Sequence, residues 1–148
     1  MTRPRTCPAC GVVGMIREAR PDAVEYAHND KIHTRNIMQP AWWCDTCGEA
    51  VLEGEDIAYS EDVWKSLKAD VHGVLSPTQV KAIREGLGIS QRRAGLLLGG
   101  GEKAFAKYER GSVLPSQAMS GLLLLLEGHP ERLRELEGLR TNQHSAAD

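Results

Sequence analysis

The chain has no long hydrophobic run. Its longest apolar tract is the run of leucines from Leu122 to Leu126, whereas a membrane-spanning helix needs about 20 consecutive apolar residues. The first residues, MTRPRTCPAC, also lack the apolar core of a signal peptide. We therefore expect no membrane segment and a protein that remains in the cytoplasm.

Cysteine is absent after residue 47, and the four cysteines form two pairs, TCPACG and WCDTCG, separated by 33 residues. Each pair is a C-x-x-C followed by glycine. Two thiolates spaced in this way can face one point, and the glycine allows a positive φ that turns backbone N–H groups toward sulfur. Two matched pairs supply the four ligands of a tetrahedral metal site. We predict one structural Zn²⁺ per chain, with these ligands: Cys7, Cys10, Cys44 and Cys47.

The cysteines also permit other interpretations. A lone C-x-x-C is often a redox motif or a pair of buried thiols, and a catalytic zinc keeps one position open to water. Four thiolates fill the shell, so a structural site is favoured over an enzyme. His28 and His33 lie between the pairs and are alternative ligands, but we interpret them as surface-loop residues. Zinc binding contributes on the order of 10 kcal/mol in small modules, so this half should need metal to fold.

The segment between the cysteine pairs is predicted to form short antiparallel strands. VEYAH and NIMQPAWW are rich in strand-forming residues, and Asn29-Asp30 offers a turn between them. We expect Trp42 and Trp43 near the metal, one of them in the core and the other exposed or facing a partner.

A helix is predicted after the second cysteine pair. Ser60 is its expected N-cap and His72-Gly73 its expected end. One apolar stripe along it should serve packing: Val63, Trp64, Leu67 and Val71. We place a zinc-binding domain at residues 1–72, a helical domain at 73–140 and a flexible tail at 141–148.

The charge of the two halves differs in sign. The whole chain carries a net charge of -2, which alone argues against a nucleic-acid partner. Residues 1–75, however, hold 8 Lys/Arg and 12 Asp/Glu, while residues 76–128 hold 7 Lys/Arg and 4 Asp/Glu. Each domain has its own electrostatic field, which acts on the partners that approach it. The second half is therefore the one expected to meet an anionic partner.

Five helices are predicted in the second half, which makes the fold class α+β. Ser76-Pro77-Thr78-Gln79 is a capping box with proline at the first helical position. The later helices have a cap or a start signal of their own, in chain order Ser90, Glu102, Pro115-Ser116 and Pro130. The small Ala94 in the second helix allows another helix to cross closely.

The stretch GGGEKAFAKYERG can be compared with two kinds of site, a phosphate-binding loop and a helix-turn-helix. A phosphate-binding loop needs G-x-x-x-x-G-K-[ST] after a strand, but here Lys103 follows glutamate, no Ser or Thr follows it, and a helix precedes it. Two short helices around a glycine turn are instead typical of a helix-turn-helix. The third helix should lie in the major groove and contact DNA through Lys103, Ala106, Lys107 and Arg110. The alternative is a helical bundle whose basic face has no such role.

The segment IREGLGISQRRAGLLLGGGEKAFAKYERGSVLP resembles the HTH-XRE domain. Together with the two leading C-x-x-C pairs, it resembles the MqsA antitoxin family from about residue 7 to 139. The resemblance implies a dimeric repressor that binds its own pseudo-palindromic operator and, through the zinc domain, a ribonuclease toxin of the MqsR type. It further implies DNA-contacting roles for Gln91 and its neighbour Arg92, and a structural pair between Arg84 and Glu109.

Two features depart from the family's pattern. Lys103 and Lys107 stand where that pattern has an asparagine and an arginine. Lysine donates to guanine O6 and N7 but lacks a planar fork, so we expect guanine preference or weaker discrimination. The segment 12–43 matches only in outline, which leaves a zinc-containing regulator without a toxin as the alternative. The expected dimer surface is the leucine-rich fourth and fifth helices.

Overall fold

The computed structural model describes residues 3–145, with side chains described as far as Thr141. The chain divides into two compact units, Met1–Leu67 and Lys68–Asp148. None of the helices in the described part of the chain is long and apolar enough to span a membrane.

The first unit contains an antiparallel sheet of four strands in the order β1-β2-β3-β4. The strands are β1 Arg5–Thr6, β2 Val13–His28, β3 Lys31–Trp43 and β4 Ala50–Val51. The antiparallel sheet confirms the expected fold class, although β2 and β3 are longer than the short strands that we expected. They pair continuously from Ile16↔Trp43 to His28↔Lys31.

The turn of this hairpin lies where the sequence predicts it. Asn29 and Asp30 have φ values of 49° and 60°, as a two-residue hairpin turn requires at both central positions. Asparagine and aspartate tolerate this left-handed backbone better than other residues with a side chain. The turn residues therefore set the register of the whole hairpin.

One face of the hairpin packs against helix α1, Gly54–His72. The rings of Tyr26 and Trp64 meet edge to face, with centroids 5.7 Å apart. Arg35 Nη1 donates to Ser66 Oγ at 3.2 Å. Tyr26 and Arg35 share one face of the hairpin, because the cross-strand partner of Tyr26 is His33, two residues from Arg35.

Helix α1 begins six residues before its predicted N-cap, so the prediction for Ser60 is wrong. Ser60 lies inside the helix, where its hydroxyl donates to the carbonyl of Ile57 at 3.0 Å. The start is instead stabilised by Asp56, whose carboxylate accepts from the Glu53 N–H at 2.8 Å. The predicted end is confirmed, since Gly73 follows with a φ of 68°.

Five α-helices follow α1 in the described residues, as the sequence predicts. They are α2 Pro77–Gly86, α3 Gln91–Leu98, α4 Ala104–Arg110, α5 Gln117–Gly128 and α6 Leu133–Ser145, with a 3-10 turn at Pro130–Arg132. Ser76, Ser90 and Ser116 each cap a helix by accepting from the amide three residues on. Helix α6 continues into the segment that we expected to be a loose tail, and residues 146–148 lie outside the described part of the chain.

The helices of the second unit enclose one apolar core, in which Phe105 and Leu123 are completely buried. The buried members are Leu75, Val80, Ile83, Ile89, Ala94, Leu97, Leu98, Ala104, Phe105, Leu123, Leu126 and Leu133. Leu133 of α6 joins this core, whereas Leu139 is 50% exposed. Leu136 packs against the core as well, so the first part of α6 contributes to the core and Leu139 does not.

Candidate metal centre and candidate nucleic-acid interface

The two C-x-x-C pairs form two turns of the same geometry. The Cys7 N–H donates to the Val12 carbonyl and the Gly11 N–H to the Cys7 carbonyl, and the second pair repeats this with Cys44, Glu49 and Gly48. Gly11 and Gly48 have φ values of 77° and 79°. A side chain would be strained in that region, which is why glycine follows each pair.

The four sulfurs lie in one cluster, within 4.8 Å of one another. Cys7 Sγ is 3.6 Å from Cys47 Sγ, and Cys10 Sγ is 3.6 Å from Cys44 Sγ. Sulfurs bonded to one tetrahedral ion at about 2.3 Å lie about 3.8 Å apart. The cluster therefore fits a structural metal site. His28 and His33 lie at the turn end of the hairpin, away from Cys44 at its other end, and are not brought to it. Both are half-buried strand residues, so their interpretation as surface-loop residues is wrong.

The surroundings of the cluster favour a thiolate at Cys44 but not at Cys47. Although the Glu49 N–H lowers the pKa of the Cys47 thiol, burial and the neighbouring thiols raise it to about 12. The backbone N–H groups of Cys47 and Thr46 lower the pKa of the Cys44 thiol to about 6, against the opposing effect of burial. Cys7 and Cys44 are buried, while Cys10 and Cys47 are exposed. A metal bound here would thus be shielded from solvent on the side of Cys7 and Cys44 and accessible to solvent on the side of Cys10 and Cys47.

The two tryptophans before Cys44 have different roles. Trp42 is half-buried against Cys7 and Cys44, and the Arg5 guanidinium lies 5.5 Å from its ring centroid. Trp43 donates its Nε1 hydrogen to the Glu18 carbonyl at 3.1 Å. Trp42 is therefore the tryptophan of the metal core, which the sequence left open, and Trp43 is half-buried where we expected an exposed or partner-facing residue.

A buried carboxylate ties the hairpin to α1. Arg17 donates to the two oxygens of Asp56 at 2.7 and 2.6 Å. Together with the Glu53 N–H, this guanidinium lowers the pKa of Asp56 to about 2. Gln39 Nε2 donates to the Asp56 carbonyl at 3.2 Å. Sequence reasoning missed this network because its members are far apart in the chain.

The glycine turn between α3 and α4 needs glycine at several positions. Gly99, Gly100 and Gly101 have φ values of 112°, 92° and 93°. The closest approach is at Gly95, where a Cβ would lie 1.8 Å from the Gly101 carbonyl oxygen. We expected the close crossing at Ala94, which is completely buried. The missed signal was a glycine inside a helix that is followed by a triple glycine.

Helix α4 separates an apolar face from a basic face. Ala104 and Phe105 are buried, and the Phe105 and Tyr108 rings meet edge to face with centroids 5.4 Å apart. Ala106 is half-buried. The cationic side chains proposed for DNA are exposed: Lys103, Lys107 and Arg110.

Arg84 and Glu109 connect α2 with α4. Arg84 donates from Nε and Nη2 to the two Glu109 oxygens at 3.0 and 2.8 Å. Its Nη1 donates to the Ile89 carbonyl at 2.9 Å. The side chains are 12% and 5% exposed, and the hydrogen bonds to Glu109 raise the pKa of Arg84. This enclosed pair connects α4 with α2, and both carboxylate oxygens of Glu109 accept from Arg84.

The start of α3 carries the remaining predicted contacts. Gln91 is half-buried at the first position of the helix. The Arg92 side chain is 72% exposed and pairs with Glu102 at 3.1 Å. Arg93 pairs with Glu137 at 3.0 Å. The structure thus adds Glu102 to the predicted surface. We expected Glu102 only as the start of the third helix, whereas α4 begins two residues later, at Ala104.

Comparison with known proteins is consistent with this architecture. The profile of the family described as "Antitoxin component of bacterial toxin-antitoxin system, MqsA" matches residues 5–137. The chain is also similar to "Antitoxin MqsA" of Escherichia coli (strain K12), with 32% identity over 96 residues, which cover 64% of this chain and 72% of that protein. The matched range contains both the cysteine cluster and helices α2 to α5. The chain therefore belongs to the MqsA antitoxin family.

Proposed function

We propose that this antitoxin is a zinc-stabilised transcriptional repressor that binds operator DNA as a homodimer in the cytoplasm and neutralises a ribonuclease toxin of the MqsR type. In this proposal it regulates its own operon and has no enzymatic activity. The supporting observation is the basic face of α4, which is exposed while the opposite face is buried.

The arrangement of α3 and α4 supports the DNA-binding part of the proposal. In a helix-turn-helix, the second helix of the pair enters the major groove and the first crosses the backbone. Helix α4 offers Lys103 and Lys107 for base edges and Arg110 for the backbone, and Gln91 and Arg92 begin α3. Ala106 lies between the two lysines, and its small side chain allows the helix to approach the DNA closely.

Exposed leucines support the homodimer. Leu124 and Leu125 on α5 are 52% and 67% exposed, and Leu139 on α6 is 50% exposed. Adjacent apolar side chains of this size are costly in water. A two-fold contact between α5 and α6 of two protomers would cover them and present two α4 helices to a pseudo-palindromic site.

The donor set supports zinc as the metal. Four thiolates in two C-x-x-C turns are typical of structural zinc, which prefers soft ligands and tetrahedral geometry. With all four positions occupied by protein, no site remains for a reacting water. We therefore assign the metal to the folding of the first unit, where the toxin would bind.

The DNA-binding proposal is tested with Lys103→Ala and Lys107→Ala. We expect each to weaken operator binding by about tenfold, because each loses a charged contact worth about 1–3 kcal/mol. If a lysine touches phosphate, the slope of log affinity against log salt falls by about 1. Lys81→Ala is the matched control, since Lys81 is an exposed lysine of α2. Footprints that do not change in either α4 variant would contradict the proposal.

The toxin-binding proposal has a separate test. A small ribonuclease encoded by a neighbouring reading frame should co-purify with the antitoxin and lose activity in the complex. Repressor activity without any such partner would instead favour the alternative of a zinc-containing regulator that acts alone.

A further inference from the structure

Glu102 places an acidic side chain at the beginning of the surface proposed to meet DNA. It precedes Lys103, lies two residues before α4, and its side chain is 53% exposed. DNA is a polyanion, so a carboxylate here opposes binding to every sequence unless it is paired or makes a contact of its own. The position therefore requires a partner for Glu102.

Arg92 provides that partner on the protein. Its Nη2 donates to Glu102 Oε1 at 3.1 Å. Arg92 lies in the first turn of α3, the helix proposed to cross the sugar-phosphate backbone. A guanidinium has five N–H donors, so one exposed Arg92 can hold Glu102 and a phosphate at the same time. The positive charge of Arg92 offsets the negative charge of Glu102, and the hydrogen bond between them fixes the orientation of the Glu102 carboxylate.

The chemistry of a carboxylate decides which base it favours. An ionised carboxylate accepts hydrogen bonds at about four lone-pair positions and donates none, so one bond from Arg92 leaves acceptor capacity. In the major groove, cytosine offers its N4 amino group, whereas guanine and thymine offer acceptors to a contact at this position. Adenine has a donor at N6, but its N7 acceptor lies beside it and repels a carboxylate. Cytosine is therefore the matching base.

Resting on the proposed DNA-binding function, we propose that Glu102 is a specificity-determining residue that accepts a hydrogen bond from cytosine N4. Arg92 is its positioning residue, acting through the carboxylate and not on the base. The adjacent Lys103 donates to guanine O6 and N7. The two neighbouring side chains together favour G·C base pairs at the start of each half-site.

The test is selection of bound duplexes from a random pool by the zinc-loaded full-length protein, compared with Glu102→Gln. The wild-type protein should select cytosine at one position of each half-site. Because glutamine pairs with adenine N6 and N7, the variant should change the cytosine-to-adenine ratio there by about fivefold or more. Its affinity for non-specific DNA should rise, since a negative charge is lost.

Two further variants separate positioning from folding. Arg92→Ala should weaken both the cytosine preference and the affinity. Glu85→Gln is the matched control, because it removes an equal charge from a 59% exposed side chain of α2 and should leave the selected sequence unchanged. Circular dichroism melting confirms that all variants are folded.

The outcomes distinguish the two proposals. An unchanged cytosine preference in Glu102→Gln overturns the role of Glu102. A variant that loses affinity for all sequences and melts at a lower temperature shows a structural role, which also overturns it. A wild-type protein that selects no sequence overturns the proposed DNA binding itself.

Discussion

Arg84 and Glu109 show how an enclosed ion pair can matter more than an exposed one. Both side chains are largely out of water, and each is bonded through two atoms. Replacing such a pair by apolar groups can be neutral, but removing one partner leaves an uncompensated charge in the interior. Glu85 lies 3.9 Å from the same guanidinium but is 59% exposed, where solvent screens the interaction.

At the residue scale we therefore predict different results for two glutamates beside one arginine. Glu109→Ala should lower the free energy of unfolding by about 3 kcal/mol, whereas Glu85→Ala should change it by less than about 0.5 kcal/mol. Urea unfolding followed by circular dichroism measures both. Equal effects would show that the enclosure of Glu109 has no energetic consequence.

Individual residues differ in how well the sequence predicted them. The four cysteines were found from spacing alone, because each pair acts within one turn. Ser60 was wrongly placed at a helix start, since a serine followed by acidic residues looks the same inside α1. Glu102 was predicted only as a helix start, because only its contact with Arg92, ten residues away, distinguishes it from other surface glutamates.

The element that depends most on backbone approach is the pair α3 and α4 with its glycine turn. The Gly99 and Gly101 N–H groups both donate to the Gly95 carbonyl, at 3.1 and 3.3 Å. This places the turn directly against the last part of α3. A side chain at Gly95 would meet backbone atoms, which cannot move aside as a flexible side chain can.

At the element scale we predict opposite results for two helical glycines. Gly95→Ala should destabilise the protein by about 2 kcal/mol or more through overpacking and weaken the proposed operator binding by displacing α4. Gly121→Ala, on α5 with nothing within 4 Å of a built Cβ, should be neutral or stabilising by up to about 1 kcal/mol. Thermal melting and DNA binding measure both; a tolerated Gly95→Ala would contradict the close approach.

The long hairpin shows the limit of pattern reasoning at this scale. The Asn29-Asp30 turn was predictable because its backbone conformation selects those residues. The length of β2 was not, because most of its side chains are exposed and its stretch REARPD has no apolar alternation. Pairing with β3, and not local propensity, extends the strand.

On the scale of the whole molecule, the two units depend on different sources of stability. Among the described residues, the buried cluster beside the cysteines consists of Cys7, Met15 and Cys44, with Trp42 and Val51 packed on it. The second unit has a core of apolar side chains from α2 to α6. A metal bound by four thiolates can contribute about 10 kcal/mol or more, which would compensate for the small first core.

We therefore predict that chelation unfolds the first unit and leaves the second folded. All three tryptophans lie in residues 1–67, as Trp42, Trp43 and Trp64, so fluorescence reports that unit, while far-ultraviolet circular dichroism is dominated by the helices of the other. A strong chelator should change the fluorescence and preserve most of the helical signal.

Two substitutions serve as controls for this experiment. Cys7→Ser should reproduce the effect without a chelator, whereas His33→Ala should retain the metal, since His33 lies far along β3 from the cluster. Simultaneous loss of fluorescence and helical signal would show that the two units do not fold independently.

The features that act over a few residues follow from the sequence: the cysteine turns, the serine caps, the hairpin turn and the division of α4 into an apolar and a basic face. Each follows from spacing or from the conformational preference of single residues. The tertiary structure alone decided the start of α1, the length of the hairpin, the contact of Gly95 with Gly101 and the pairing of Arg92 with Glu102. These depend on groups brought together from separate elements, where packing and charge compensation outweigh local preference.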